Sequence, residues 1–157
     1  MKIKKLLTLF CLLMILVSCS KKQEVTNPME KHDSLDEINE ITHGNIVRPA
    51  VAGVSDEEFY IINVGEDKIA QYTFKVAGIS YTIRFSDTIL DKDISGVYIN
   101  GKEAFPTTDI TSTKGEGLLL ARWFTVDGQY VMSGDGSVEE ETFNNVVEEM
   151  TTLTANR

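Results

Sequence analysis

The stretch "IAQYTFKVAGISYTIRF", residues 69–85, constrains this chain more than any other segment. A two-residue turn at Ala77-Gly78, with glycine supplying a positive φ, sets Val76 against Ile79, Phe74 against Tyr81, Tyr72 against Ile83 and Ala70 against Phe85. The opposite face then pairs Lys75 with Ser80, Thr73 with Thr82 and Gln71 with Arg84. One register sorts every apolar residue to a single side, and a slip of one residue would turn them all to solvent. An antiparallel hairpin with one buried face is therefore the nucleus of any fold this chain adopts.

The neighbouring segments extend that sheet. "EFYIINV", residues 58–64, has strand composition. "GLLLARWFTVDGQYVMSG", residues 117–134, reads as a second hairpin turning at Asp127-Gly128, with Val126 facing Gln129, Phe124 facing Val131 and Trp123 facing Met132. Apolar residues on both of its faces fit a strand covered on two sides. "EAFPTTDITST", residues 103–113, is a further strand that Pro106 assigns to a sheet edge.

Helix signals bracket the strands. Ser34 and Glu37 stand at capping-box spacing, Leu35, Ile38 and Ile41 form a narrow apolar stripe, and Gly44 supplies a stop. Ser137 and Glu140 repeat the box, after which Phe143, Val146, Val147, Met150 and Leu153 recur at helical spacing. The expected class is α+β: an antiparallel sheet of hairpins, with a short N-terminal helix and a C-terminal amphipathic helix packed on it.

The N-terminus has a different character. Lys2, Lys4 and Lys5 precede an apolar run from Leu6 to Val17. Twelve helical residues span about 18 Å, short of a hydrocarbon core of about 30 Å. A signal-peptide core fits better than a spanning helix. The run closes on Leu16-Val17-Ser18-Cys19, which resembles the lipobox of bacterial lipoproteins. That resemblance implies a diacylglyceryl thioether on Cys19 and cleavage before it, with residues 1–18 removed. Residues 19–33 then read as the lipidated cysteine and a flexible polar tether, and residues 34–157 as a single α+β domain.

Removing residues 1–18 deletes three lysines and no acid, taking the formal charge from −9 to −12. So acidic a surface argues against nucleic acid and against anionic lipid headgroups as partners. Cys11 leaves with the signal and Cys19 takes lipid, so neither a disulfide nor a catalytic thiol is expected. "DKDISG", residues 91–96, matches the start of a calcium loop, with Asp91, Asp93 and Ser95 as its oxygen donors. Position 12 is however Lys102, where a bidentate glutamate is required, and Glu103 falls one place late. The segment is read as a polar connection in which Asp93 or Ser95 caps a turn. His43, assigned to the last turn of the first helix, has no nucleophile-elbow motif to pair with. Acidic loop pairs such as Asp87 and Asp91 could serve as acid and base only in a cleft that separates their pKa values. Trp123 and Tyr130, near one another across the second hairpin, form either a ligand-stacking platform or, the more usual role, core. Arg84 beside Gln71 is suited to an anionic group or to a cross-strand contact.

"GVSDEEF", "IAQYTF", "GISYTIR", "DISGVY", the Trp123-x4-Gly128-x-Tyr130 pattern and the acidic-capped final helix together resemble a group of bacterial lipoproteins, mainly clostridial-type. These carry an extracytoplasmic domain of unknown function. Similar endings occur in extracytoplasmic domains of sporulation and anti-sigma-factor-associated proteins. The resemblance covers most of residues 44–153 and implies a secreted, tethered domain with no assigned catalytic residues. The reading that follows is a non-catalytic, lipid-anchored cell-envelope module without a cofactor. It meets the membrane through its anchor and binds an envelope protein or small ligand. The alternatives are a small envelope hydrolase using acidic loop residues, with or without calcium, and an extracytoplasmic sensor domain.

Overall fold

A computed structural model describes residues 28–96, 98–99, 102–103, 113–115, 118–135 and 137–155. The elements in chain order are β1 (Met29–His32), α1 (Leu35–Thr42), β2 (Val54–Val64), β3 (Asp67–Val76), β4 (Ile79–Ser86), β5 (Tyr98–Ile99), β6 (Lys102–Glu103), β7 (Thr113–Gly115), β8 (Leu118–Phe124), β9 (Gln129–Asp135) and α2 (Glu140–Ala155). The main sheet runs β1-β2-β3-β4-β9-β8-β7 with every pair antiparallel, while β5 and β6 pair separately. Sheet and helices make the α+β arrangement expected. Residues 1–27, with the lipobox and Cys19, lie outside the described residues, as does most of "EAFPTTDITST".

The β3–β4 hairpin has the register read from its alternation, from Val76 opposite Ile79 to Ala70 opposite Phe85. Ala77 and Gly78 both take positive φ, 51° and 83°, the mirror-image turn that follows strand twist. Tyr72, Phe74, Tyr81, Ile83 and Phe85 form one face of this hairpin, fully buried. The same core holds Leu35 and Ile38 of α1, Trp123 and Tyr130 of β8 and β9, and Phe143, Val146, Val147 and Met150 of α2. Gly134 makes room for α2: a Cβ there would lie 2.7 Å from the Phe143 ring.

The opposite face of the sheet is covered in part by residues 87–96. Ile89 and Ile94 pack on Ile69 and Val131 in a second apolar cluster. Three sheet side chains bind the backbone of this strap. Arg84 donates to Ile94 O at 3.0 Å, Arg122 to Leu90 O at 2.9 Å, and Gln129 to Ile89 O at 2.7 Å and Lys92 O at 3.1 Å. Buried carbonyls away from a ladder need such partners.

Five details correct the sequence reading. Met29–His32, expected within the tether, instead pairs with Phe59–Ile62 as an edge strand. Nothing in "MEKH" alternates in hydrophobicity, since an edge strand buries little on either side. The first helix ends with His43, not Gly44, in the left-handed conformation. Gly44 is needed for space, as a Cβ would lie 2.6 Å from Phe85. The last helix begins at Glu140, three residues after the expected cap Ser137, whose N–H is bonded to Asp135 Oδ1 at 2.9 Å. Near its end Thr154 is buried where Leu153 was expected, and Leu153 is only partly covered.

The fifth correction is the register of the second hairpin. Trp123 lies opposite Tyr130, and Phe124 opposite Gln129, two residues from the pairing read at Asp127-Gly128. A four-residue loop, Thr125–Gly128, closes the hairpin through Thr125 N to Gly128 O at 2.9 Å. A two-residue slip leaves every side chain on the same face, so alternation cannot choose between the two registers. Packing chooses. The observed register stacks Trp123 on Tyr130, with centroids 5.4 Å apart and planes 4° from parallel, and brings the indole N–H to Thr154 Oγ1 at 3.0 Å.

Candidate functional site

The site begins with an irregularity in β2. Ser55 lies opposite Lys75, but Glu58 lies opposite Thr73, so β2 carries one residue more than its partner across this interval. Asp56 absorbs the bulge at a φ of 49°, a conformation aspartate tolerates better than most residues. As a result, three consecutive carboxylates fan out in different directions. Asp56 meets Lys75 of β3 at 2.9 Å, Glu57 meets Arg48 from the segment before β2 at 2.6 Å, and Glu58 meets Lys31 of β1 at 2.9 Å.

Around these pairs, Arg48 excepted, lies a groove of about 500 Å³, lined also by Thr73 and Ser80. It occupies the end of the sheet that carries the Ala77-Gly78 turn. Glu57 reaches back toward the core, where the Tyr72 hydroxyl donates to its Oε2 at 2.7 Å. Burial pushes the Glu57 carboxyl up, but the bonds from Arg48 and Tyr72 outweigh it and leave its pKa below the ordinary range. Burial, then the bond to Glu57, raises the Tyr72 phenol. Glu58 is lowered by its bonds from Lys31 and Tyr60, and Lys31 is raised by the same partner. Chemically, the groove presents fixed charges of both signs flanked by hydroxyls. A carboxylate held ionised in this way is a poor proton donor.

A second cleft, of about 370 Å³, lies between the helices beside Leu35, Asn39, Ile46, Arg48 and Leu153. Asn39 holds its wall by donating to Ile46 O at 2.7 Å and accepting from Ile46 N at 2.9 Å. Ala50 N donates to Glu149, tying the same segment to α2.

The residues singled out from the sequence lie elsewhere and apart. Trp123 and Tyr130 are 2% and 0% exposed, so their stacking is internal and forms no ligand platform. Burial pushes the Tyr130 phenol up to about 12. Arg84 binds Gln71 Oε1 at 2.8 Å and the strap carbonyl of Ile94, a structural role. In "DKDISG" both Asp93 oxygens accept from Ser95, from its N–H at 2.7 Å and its hydroxyl at 2.8 Å, while Asp91 points to solvent. The segment is thus turned in on itself. Among the described residues no group of three or more histidine, cysteine, aspartate or glutamate side chains is arranged to hold a metal ion. His43 faces Asp87 across 3.4 Å at the surface.

The sequence reading did not find the groove. Its only trace is the acidic run "SDEE" at the start of a strand, and the three cations that pair with it come from three separate segments. Among the described residues no helix is long and apolar enough to cross a membrane. No protein-family model, curated protein or solved structure matches this chain.

Proposed function

We propose that this chain is a lipid-anchored cell-envelope protein whose domain binds a partner protein without catalysing a reaction. The groove lined by Lys31, Asp56, Glu58, Thr73, Lys75 and Ser80 receives an extended polar segment of mixed charge. The observation that carries this reading is the fan of Asp56, Glu57 and Glu58, each neutralised by a cation from a different segment. Such a surface discriminates partners by matching charge, whereas proton transfer needs a carboxyl with a raised pKa near the working pH. The Leu16-Val17-Ser18-Cys19 pattern and the resemblance to clostridial-type lipoproteins support the anchor. The groove's position also supports this reading. It lies at the end of the sheet away from Pro28, whose carbonyl accepts from Asn63 N at the far end of β2.

A photo-crosslinking residue at Ser80 in cells should capture one defined envelope protein, and the same residue at Glu148 on the outer side of α2 should not. Lys31→Glu with Lys75→Glu should abolish the product. Equal capture at both positions, or capture indifferent to the two lysines, overturns the assignment of the groove. Replacing Cys19 by Ser should release the protein from the membrane fraction, and its retention there would refute the anchor.

A further inference from the structure

We propose that the end of the domain opposite the groove seats on the lipid surface, with the loops at Val64 and Val126 and the strap at Leu90 dipping into the headgroup boundary. This rests on the lipid-anchored reading and deepens it. Among the described residues the exposed large hydrophobic side chains are Val64 at 45%, Leu90 at 49%, Phe124 at 44% and Val126 at 96%. Scattered singly, such residues need no explanation. These four share one end of the sheet. Val64 ends β2, Phe124 ends β8 and Val126 is in the loop that follows it. Leu90 lies after β4, its carbonyl held by Arg122, two residues from Phe124.

The register of the second hairpin creates the most prominent of the four. A two-residue turn at Asp127-Gly128 would have kept Val126 in the ladder, whereas the four-residue loop projects it into solvent. The β2–β3 and β8–β9 connections stand three strand spacings apart, about 14 Å, so they form two apolar prongs rather than one continuous patch.

The position of the chain N-terminal to β1 selects lipid as the occupant. Pro28 joins the sheet beside Asn63, one residue from Val64, so the described chain begins at this same end. Between Cys19 and Pro28 the sequence is short. Nine residues reach at most about 30–32 Å however they are arranged. A lipidated Cys19 therefore holds these prongs next to the bilayer at an effective concentration of about millimolar, where even weak apolar docking is populated. Glu66, Asp67 and Asp127 beside Lys68 and Lys92 leave this end without a basic patch. Docking is accordingly apolar, with little dependence on salt.

The test uses the full chain processed in a bacterial host, purified in detergent and reconstituted into vesicles of phosphatidylcholine. An environment-sensitive fluorophore is placed on Val64→Cys, Val126→Cys or, as a control in the distal turn, Ala77→Cys. Mass spectrometry of the mature protein first reads the state of Cys19. With Cys19 lipidated, labels at 64 and 126 should shift to the blue and be quenched by nitroxide lipids, and the label at 77 should do neither. Introducing Val126→Asp, a change at a solvent-exposed position, should cost the label at 64 most of its quenching. Lipidated protein whose label at 64 or 126 stays unquenched overturns the docking and leaves the anchor standing. An unmodified Cys19 overturns the anchor, and the docking with it.

Discussion

Tyr72→Phe tests the least exposed of the three carboxylate pairings. The substitution keeps the aromatic ring, which stacks between Phe59 and Phe74 at centroid distances of 5.4 and 4.8 Å. It removes only the hydroxyl that donates to Glu57 Oε2 at 2.7 Å. Hydrogen bonds to charged groups contribute about 1.5–3 kcal/mol. Glu57 retains Arg48 and some contact with water, so the lower part of that range applies, about 1.5–2 kcal/mol. For a domain of this size that corresponds to a fall in Tm of about 4–8 °C. The sign of the pH dependence follows from the carboxylate. Glu57 has a folded-state pKa below its ordinary value, so its contribution is complete above about pH 4.3 and is lost as pH falls through the lower folded value. Urea unfolding at pH 7 and again near the acid limit of stability should therefore show a smaller Tyr72→Phe penalty in acid. A cycle with Glu57→Gln should leave a coupling energy of about 1 kcal/mol at pH 7. Equal penalties at the two pH values, or additive single substitutions, would refute the claim that this bond to an ionised Glu57 stabilises the fold.

Other perturbations probe the scaffold. Gly134→Ala forces a methyl against Phe143 and should destabilise by about 1–3 kcal/mol, read as a lower urea midpoint with an unchanged slope. Thr154→Val leaves the indole N–H of the sole tryptophan, Trp123, buried without its acceptor. It should cost about 1–3 kcal/mol and shift the near-ultraviolet tryptophan spectrum. Arg84→Met removes the bonds to Gln71 and to the strap at Ile94. Amide exchange should accelerate in residues 88–96 well before the β3–β4 hairpin loses protection, whereas a uniform rise across both would contradict a local role.

How much of this was legible in the sequence depended on whether the deciding interaction was local. The β3–β4 register was readable because its apolar residues alternate around a turn with its own chemistry, and any odd slip inverts both faces. The apolar stripe of the final helix was readable for the same reason at a period of 3.6. The β8–β9 register was not, because its two candidates differ by an even slip and only Tyr130, Trp123 and Thr154, brought together in the core, distinguish them. Likewise Gly44 serves to leave room for Phe85, forty-one positions later in the chain, while His43 is the left-handed residue after α1. The groove was the least legible part. Lys31, Arg48 and Lys75 are ordinary surface cations until β1 and the bulge of β2 set them beside Asp56, Glu57 and Glu58. Thus alternation and periodicity determined the sheet nucleus and the α+β class. The tertiary structure alone decided which charges meet and which apolar side chains stay in water, because those outcomes depend on contacts between segments with no local pattern in common.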